Sequence, residues 1–332
     1  MSFFKALVID KSEQGQSVVL RDFDEEGLME GDVTVRVAYS NLNYKDGLAL
    51  TGMAPVVKRF PMIPGTDFAG VVETSDNPRF APGDKVLLTG WGVGEKHLGA
   101  LAEKARVKAD WLIPLPEGLS MLDAMTIGST GFTAMLCVMA LERSGVKPEQ
   151  GPAVVTGATG RISSVATMLL SGSGWTVHAV TGRAEDADYL KSLGAVEILA
   201  RNDFITPGKP MNKERWIAAI DTAGSHILAN ILAHMRYGGV VASCGATAGM
   251  DLQASVAPII LRSLSLLGVD SVMCPIERRM KAWSRLAREV DVAKLAPLRL
   301  VIPLSAVIET AKDIAAKTNR GRVVVAVNPT QD

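Results

Sequence analysis

The chain has few of the residues that build disulfide frameworks and metal centres. It contains 3 cysteines and 4 histidines among 332 residues. The cysteines (Cys137, Cys244 and Cys274) are scattered and odd in number, so we expect no disulfide framework and a cytoplasmic, reducing location. A zinc site needs several converging N, S or O ligands, and the histidines form no such cluster in the sequence. We therefore expect no metal ion.

The chain also lacks net charge and long apolar segments. Lys plus Arg equals Asp plus Glu at 35 each, so the net charge gives no indication of nucleic acid or an acidic membrane as a partner. No apolar run approaches the length of a membrane span, and residues 1–5 lack the apolar stretch of a signal peptide. With 48% apolar and 21% charged residues, the composition is that of a globular protein long enough for two domains.

A glycine-punctuated turn lies in the middle of the chain. The stretch Val154–Ser163 reads as an apolar strand, a turn containing Gly157 and Gly160, and the start of a helix rich in small residues. Such a turn leaves backbone N–H groups at a helix start, where the macrodipole also favours a dinucleotide pyrophosphate. Arg161 lies within the turn, and Ser163 occupies the third glycine position, where a serine still allows close packing of helix on strand.

The next strand indicates which nucleotide is bound. It ends in Thr181-Gly182-Arg183, about 20 residues after the turn, where NAD-specific folds place an acid on the ribose hydroxyls. An acid would repel a 2′-phosphate, whereas Arg183 and Arg201 would attract it through charge-assisted hydrogen bonds. The sequence favours NADPH over NADH. The alternative is that Arg183 only caps a loop.

Strand and helix patterns indicate an α/β chain of two domains. The first 120 or so residues are rich in strand-like runs, and from 153 to about 272 strands alternate with helices, as in a parallel sheet. The tail reads as a strand near 298–302, a helix over Ser305–Lys317 and a strand over 323–327. We expect these last elements to pack on the first domain. The predicted domains are therefore 1–125 with 298–332, and 126–297.

Several segments together are similar to the medium-chain dehydrogenase/reductase superfamily. They are Pro61–Gly70, Pro82–Val86, Gly99–Glu103, Gly128–Ala134 and Leu193–Ala195. Within that superfamily the chain resembles the zinc-free YhdH-type quinone oxidoreductases, grouped as NADPH-dependent acryloyl-CoA reductases. The segments that carry this narrower resemblance are Asn41–Asp46, Ala184–Ala195 and Gly268–Pro275.

The resemblance implies a GroES-like catalytic domain from both chain ends, a doubly wound Rossmann domain for NADPH, and a homodimer. It also implies a set of cofactor contacts. Toward the pyrophosphate these are Thr159, Gly160, Arg161 and Ile162; toward the adenosine phosphate Thr181, Gly182, Arg183 and Arg201; and toward the nicotinamide Tyr44, Ala246, Ile260, Ser271 and Asn319.

The same comparison bears on zinc. Zinc-dependent relatives carry a histidine after the glycine of the Pro-Gly turn, and Thr66 occupies that position here. They also need a thiolate near Asn41–Asp46, and no cysteine precedes Cys137. Without a metal to stabilise an alkoxide, alcohol oxidation is disfavoured. Hydride delivery to a double bond activated by a carbonyl group remains, which requires placement of the nicotinamide, binding of the enolate oxygen and one proton.

Tyr44 is the leading candidate for a catalytic residue. It follows an apolar strand in a polar segment predicted as a loop, and its phenol could contact the nicotinamide, donate a proton to the substrate, or both. The alternative is a packing tyrosine at a domain hinge. Asn43, Lys45 and Asp46 are weaker candidates, because loop solvation explains them almost as well.

A cationic helix is predicted over residues 277–288. Arg278, Lys281, Arg285 and Arg288 recur at helical spacing and share one face. This face could attract the phosphates of coenzyme A. The alternative, which we favour, is a solvated face balanced by Glu277 and Glu289.

These observations lead to one main functional hypothesis and two alternatives. The main hypothesis is NADPH-dependent reduction of acryloyl-CoA to propionyl-CoA, with hydride added to the β-carbon and a proton from Tyr44 or water to the α-carbon. The first alternative is reduction of quinones or free enones. The second is an NADPH-binding protein without catalytic activity, which the altered turn at Arg161 and Ser163 keeps open.

Overall fold

The computed structural model describes residues 2–319 and 321–329, which divide into two units. The first takes the chain up to Ser129, residues 272–281 and the chain from Leu295 onward. The second takes Thr130–Ser271 and Ala282–Lys294. Residues 126–129, 272–281 and 295–297, which were predicted to belong to the second domain (126–297), group here with the first unit. Residues 1, 320 and 330–332 of the predicted ranges lie outside the described residues.

The first unit is built mainly of antiparallel strands. Its strands are β1 (Phe3–Ser12), β2 (Gly15–Asp24), β3 (Val33–Leu42), β4 (Asp67–Ser75), β5 (Lys85–Thr89), β6 (Lys104–Val107), β7 (Ile113–Pro114), β14 (Arg299–Pro303) and β15 (Arg322–Ala326). β1 and β2 form a hairpin, and the others form one sheet in the order β14-β15-β3-β4-β5-β7, with β6 paired to β3. β14 and β15 pair in parallel, whereas the other ladders between the described strands of this unit are antiparallel. The tail strands therefore join the sheet of the first unit, as expected.

Two helices of this unit pack closely against each other. They are α1 (Tyr44–Thr51) and α8 (Val307–Ala315). A Cβ atom on Gly47 would lie 2.8 Å from Ile314 Cγ2 and 3.1 Å from the Ala315 backbone nitrogen, so only glycine allows this approach. Helix α1 was not predicted, because its segment reads as a polar loop. Its close packing on α8 places Tyr44 next to a segment from the C-terminal part of the chain.

The second unit contains the predicted parallel sheet. Its elements are β8 (Ala153–Thr156), α3 (Arg161–Gly172), β9 (Val177–Thr181), α4 (Ala187–Ser192), β10 (Ala195–Ala200), β11 (Trp216–Asp221), α5 (Ser225–His234), β12 (Met235–Ser243), α6 (Ala257–Leu261) and β13 (Ser265–Gly268). The six strands pair in parallel in the order β10-β9-β8-β11-β12-β13. This is the order of doubly wound dinucleotide-binding folds, in which ligands bind where the order reverses. Here that point lies between β8 and β11.

Two long helices complete the described elements, α2 (Met121–Arg143) and α7 (Ile276–Glu289). The Ser120 hydroxyl accepts a hydrogen bond from the Asp123 N–H, as in a helix N-cap. Helix α2 is broken at Gly128, whose φ of 54° and ψ of −166° are not helical. Although the sequence analysis expected no segment of span length, α2 is long and apolar enough to cross a membrane by length and composition. However, 83% of its apolar window is buried, as in a core helix.

Candidate functional site

The glycine-punctuated turn joins β8 to α3. Gly157 has a φ of 58°, and a Cβ atom there would lie 2.8 Å from Thr222 Oγ1. The Gly160 N–H donates to the Gly157 carbonyl at 2.7 Å, and Gly160 is the N-cap of α3. The turn therefore ends at the start of α3, where the first N–H groups of a helix have no acceptor within it. Thr159, Gly160, Arg161 and Ile162 all lie in this turn or in the first turn of α3.

Ser163, which replaces the third glycine, is fully buried and bonded to the sheet. Its hydroxyl donates to the Thr156 carbonyl at 2.8 Å and lies 3.1 Å from Thr222 Oγ1. The Thr156 hydroxyl donates to Asp221 Oδ1 at 2.7 Å. These bonds connect the carboxyl ends of β8 and β11, where the strand order reverses. The serine therefore fits the close packing of α3 on the sheet, and burial raises the pKa of the Asp221 carboxyl.

The predicted adenosine-phosphate residues lie together at the ends of two neighbouring strands. Thr181 closes β9 and pairs with the last residue of β10, which Arg201 follows directly. The Arg183 N–H donates to Thr181 Oγ1 at 3.0 Å. A Cβ atom on Gly182 would lie 2.9 Å from Arg201 Cζ, so the guanidinium of Arg201 covers the glycine backbone. Within the described part of the chain, neither Arg183 nor Arg201 forms an ion pair.

The other candidates of the second unit follow later strands. Ala246 lies after β12, and its neighbour Gly245 approaches β11 so closely that a Cβ atom would be 2.5 Å from the Thr222 carbonyl oxygen. Ser271 follows β13 and accepts a hydrogen bond from the Thr133 hydroxyl at 2.8 Å. Ile260 lies on α6 and is largely exposed. The sheet thus brings the residues predicted for the pyrophosphate, those predicted for the adenosine phosphate, and Ala246 to its carboxyl edge.

Tyr44 and Asn319 belong to the first unit. Tyr44 is the first residue of α1, whose start is capped by a hydrogen bond from the Asn43 N–H to Asp46 Oδ2 at 2.8 Å. Its side chain is 43% exposed, and the Lys317 ammonium lies 4.9 Å from its ring centroid. Asn319 lies two positions beyond this lysine, and its Nδ2 is buried without a partner among the described residues. Tyr44 is therefore accessible from outside the first unit.

Two buried carboxyl groups, Asp46 and Asp67, are bonded to the segment that leads into this tyrosine, and Asp67 was not among the sequence candidates. Asp46 accepts hydrogen bonds from the Thr66 N–H at 3.1 Å and the Thr66 hydroxyl at 2.8 Å. Asp67 Oδ2 accepts from Asn41 Nδ2, Asn43 Nδ2 and the Ser129 N–H at 2.8 to 3.1 Å. Asp67 is the first residue of β4, whose first four residues are all buried, and burial of a charged residue at a strand start has no signal in the sequence. Asn43 and Asp46, the weaker site candidates, are bonded into this network, so loop solvation does not explain them.

Burial of Asp46 raises the pKa of its carboxyl from 3.8 to about 6, and the Asp67 carboxylate adds to this effect. The raised pKa means that the folded state holds its proton more tightly than the unfolded state. Asp46 therefore favours folding below the unfolded pKa of 3.8, and this contribution is lost as pH rises through about 6.

We predict a pH-dependent stability difference between the wild type and Asp46→Asn. Between about pH 4 and pH 7 the wild type loses up to about 3 kcal/mol of unfolding free energy relative to the variant, from a pKa rise of about two units. Urea unfolding at a series of pH values measures this difference. Parallel curves for the two proteins over that range would show that Asp46 does not titrate there.

A zinc ion does not fit the residues in the family's metal position. The Thr66 hydroxyl is used by Asp46. Both ring nitrogens of His97 lie within hydrogen-bond distance of the carbonyl oxygens of Leu98 and Glu30. Among residues 2–319 and 321–329, no group of three or more His, Cys, Asp and Glu side chains could hold a metal ion. We therefore derive no chemical step through a metal.

The cationic helix is confirmed as α7, but its cations are not equivalent. Arg285 Nε donates to Glu289 Oε1 at 2.7 Å, and its Nη2 donates to Glu142 Oε1 at 2.9 Å. Arg279 is fully buried and donates to the Thr89 carbonyl and hydroxyl. Arg278, Lys281 and Arg288 are exposed. The pairing of Arg285 with two carboxylates favours the balanced surface over a coenzyme A site, with Glu142 rather than Glu277 as the second partner.

Comparison with known proteins identifies the family. Residues 29–117 match the alcohol dehydrogenase GroES-like domain, and residues 162–288 match the zinc-binding dehydrogenase family. The chain is 48% identical to the acrylyl-CoA reductase AcuI of Ruegeria pomeroyi, over 98% of this chain and 99% of that protein.

Two solved structures are similar over nearly the whole chain. Escherichia coli K-12 YhdH with bound NADPH is 50% identical with a TM-score of 0.92, covering 97% of this chain and 99% of that chain. Bacillus subtilis yhfP with bound NAD is 41% identical with a TM-score of 0.94, covering 98% and 100%. YhfP carries the provisional name quinone oxidoreductase.

These matches confirm the predicted combination of a GroES-like β-rich domain with a doubly wound sheet. The resemblance stated from the sequence motifs is confirmed as well. The chain belongs to the medium-chain dehydrogenase/reductase superfamily, in its YhdH-type branch.

Proposed function

We propose that the protein is an NADPH-dependent oxidoreductase that reduces the activated C=C bond of acryloyl-CoA to give propionyl-CoA. The observation that carries this proposal is the 48% identity to an acrylyl-CoA reductase over nearly the full length of both chains. Arg183 and Arg201, which follow β9 and β10, form no ion pair with any described residue, and they support the choice of NADPH because they offer charge-assisted bonds to a 2′-phosphate.

The residues of the second unit fit this cofactor. The pyrophosphate would lie on Thr159, Gly160, Arg161 and Ile162, at the start of α3. Thr181, Gly182, Arg183 and Arg201 would hold the adenosine phosphate, and Ala246, Ile260, Ser271, Asn319 and Tyr44 would lie toward the nicotinamide. The bound cofactor supplies the hydride for the β-carbon of the substrate.

The chain itself must then manage one proton and one developing charge. The carbonyl group of the thioester draws electrons away from the β-carbon, so negative charge develops on its oxygen. We propose that the α-carbon receives its proton from the Tyr44 hydroxyl or from water. The exposed position of Tyr44 at the start of α1 suits this role, and the hydrogen bonds of Asp46 and Asp67 fix the segment that carries it.

Reduction of a quinone is the alternative, and the similarity to YhfP favours it. Steady-state oxidation of NADPH with acryloyl-CoA, crotonyl-CoA and a simple quinone, measured side by side, separates the two functions. The proposal expects much higher kcat/KM for acryloyl-CoA than for the quinone. The reverse order would favour the quinone reductase, and NADPH binding without turnover of any acceptor would favour a protein without catalytic activity.

We also propose a homodimer that joins two second units. Strand β13 is an edge of the parallel sheet, and edge strands present unpaired backbone groups to other chains. Next to it, the Gly238 N–H donates to the Arg262 carbonyl, and the residue before each of these two, Tyr237 and Leu261, is about two thirds exposed. An exposed apolar patch beside an open strand edge suits a second copy of the chain.

A single substitution tests this interface. We expect Leu261→Glu to lower the mass measured by light scattering from twice 35.2 kDa to 35.2 kDa. Val196→Glu, at an equally exposed position on β10 at the opposite sheet edge, is the matched control and should leave the dimer intact. A wild type of 35.2 kDa, or a dimer that survives Leu261→Glu, would contradict the proposed interface.

The proposed location is the cytoplasm. All three cysteines lie in the described chain as free thiols, and Cys137 and Cys274 are buried. Free buried thiols are typical of proteins kept in a reducing compartment.

A further inference from the structure

The end of α8 has an unusual residue at its capping position. The Thr318 N–H donates to the Asp313 carbonyl at 3.0 Å and the Lys317 N–H donates to the Ile314 carbonyl at 3.1 Å, which together form a Schellman motif. The residue at its left-handed position is usually glycine, but here it is Lys317, with a φ of 60°. The predicted helix Ser305–Lys317 therefore ends too late. A side chain at this position carries a conformational cost that glycine would avoid.

The side chain of this lysine lies over the ring of Tyr44. The ammonium nitrogen lies 4.9 Å from the centroid of the Tyr44 ring, a cation–π distance. Within residues 2–319 and 321–329, no carboxylate pairs with Lys317. Two nearby lysines differ in this respect, since Lys45 pairs with Glu95 and Lys312 with Glu309. The donors of the Lys317 ammonium thus remain available beside the candidate proton donor.

The proposed reaction needs a positive group at this place. When hydride adds to the β-carbon, the electron pair of the C=C bond shifts to the bond between the α-carbon and the carbonyl carbon. The carbonyl pair then moves to oxygen, which becomes an enolate. The carbonyl bond forms again when the α-carbon takes a proton from Tyr44 or water, and the negative charge leaves the oxygen. Hydrogen-bond donors aimed at such an oxygen contribute much of the catalysis in comparable enzymes, and no metal fits here.

We propose that Lys317 is a catalytic residue whose ammonium donates a hydrogen bond to the carbonyl oxygen of the substrate as the enolate forms. This inference rests on the proposed function only in the choice of substrate. A quinone also gains negative charge on a carbonyl oxygen when it is reduced. The role of Lys317 is therefore the same for both acceptors.

Two substitutions separate catalysis from structure. Lys317→Gly removes the ammonium and supplies the residue that the Schellman position prefers, so its melting temperature should equal or exceed that of the wild type. Its kcat should fall about 100-fold, the loss expected for one donor to an oxyanion. Lys317→Met should show the same loss, whereas Lys312→Met, on the exposed side of α8, should keep wild-type kcat. The Kd for NADPH, measured by fluorescence titration, should be unchanged in all three.

A comparison of two acceptors tests whether the lysine binds the coenzyme A phosphates or the cofactor instead. We expect the same fold-loss of kcat with acryloyl-CoA and with acryloyl-pantetheine, which lacks the nucleotide phosphates. If the substitution only raises the KM for acryloyl-CoA, Lys317 binds those phosphates. If it raises the Kd for NADPH and kcat stays normal, Lys317 binds the cofactor. Either result overturns the proposal. If the wild type reduces only the quinone, the proposed substrate is wrong, and the quinone kcat of Lys317→Gly still decides the role of the lysine.

Discussion

Replacement of Arg183 by alanine is expected to weaken NADPH binding about 30-fold while leaving NADH binding almost unchanged, because hydrogen bonds to charged groups contribute roughly 1.5–3 kcal/mol. The guanidinium of Arg183 follows β9 and forms no ion pair with any described residue. Arg201 lies over Gly182 in the same place, so the double variant Arg183→Ala/Arg201→Ala should lose more than either single variant. Fluorescence titration with both nucleotides gives the two Kd values directly.

The control for Arg183 must remove a cation without touching the phosphate site. Lys191→Ala is suitable, since its side chain is 61% exposed on the next helix, α4. If charge in general attracted the nucleotide, Lys191→Ala would weaken NADPH binding as much as Arg183→Ala. Equal losses for NADPH and NADH in Arg183→Ala would show that the side chain supports the loop and does not bind the 2′-phosphate.

Tyr44→Phe is expected to lower kcat by about 100-fold or more with acryloyl-CoA, because a positioned proton donor typically contributes a factor of this size. The variant keeps the aromatic ring, its contact with Lys317 and the cap of α1 by Asp46, so we expect the Kd for NADPH and the melting temperature to stay at wild-type values. Rapid-mixing measurement of NADPH oxidation in a single turnover separates the chemical step from product release.

Tyr237→Phe is the matched control for this substitution, since it removes the hydroxyl of an exposed tyrosine on β12, in the second unit. It should have normal kcat. Full activity in Tyr44→Phe would exclude the phenol as the proton donor and leave water in that role. A raised Kd for NADPH with normal kcat would instead make Tyr44 a residue that only contacts the cofactor.

The second unit could be predicted almost entirely from the sequence, because its signals are local. Strands alternate with helices between 153 and 268, as predicted, and Gly157 and Gly194 mark turns that only a residue with positive φ forms easily. The same locality allowed Arg183 and Arg201 to be assigned to one place, since parallel neighbouring strands bring their carboxyl ends together.

The site in the first unit was less predictable, because long-range packing decides it. Asn41 and Ser129 meet at Asp67 only once β3, β4 and the break in α2 are assembled. Helix α1 is short and weakly patterned, and it depends on the approach to α8 that Gly47 permits. Lys317 had no signal at all, since a lysine at the end of a predicted helix is an ordinary choice. Its left-handed backbone is visible only in the structure.

In the proposed reaction, hydride passes from NADPH to the β-carbon of acryloyl-CoA. Single-turnover reduction with NADPH that carries deuterium at both C4 positions of the nicotinamide, followed by mass spectrometry and NMR of the propionyl-CoA, tests this directly. We expect one deuterium at the β-carbon in ordinary water and, with unlabelled NADPH in heavy water, one deuterium at the α-carbon. Propionyl-CoA without label at the β-carbon, or no propionyl-CoA at all, would contradict it.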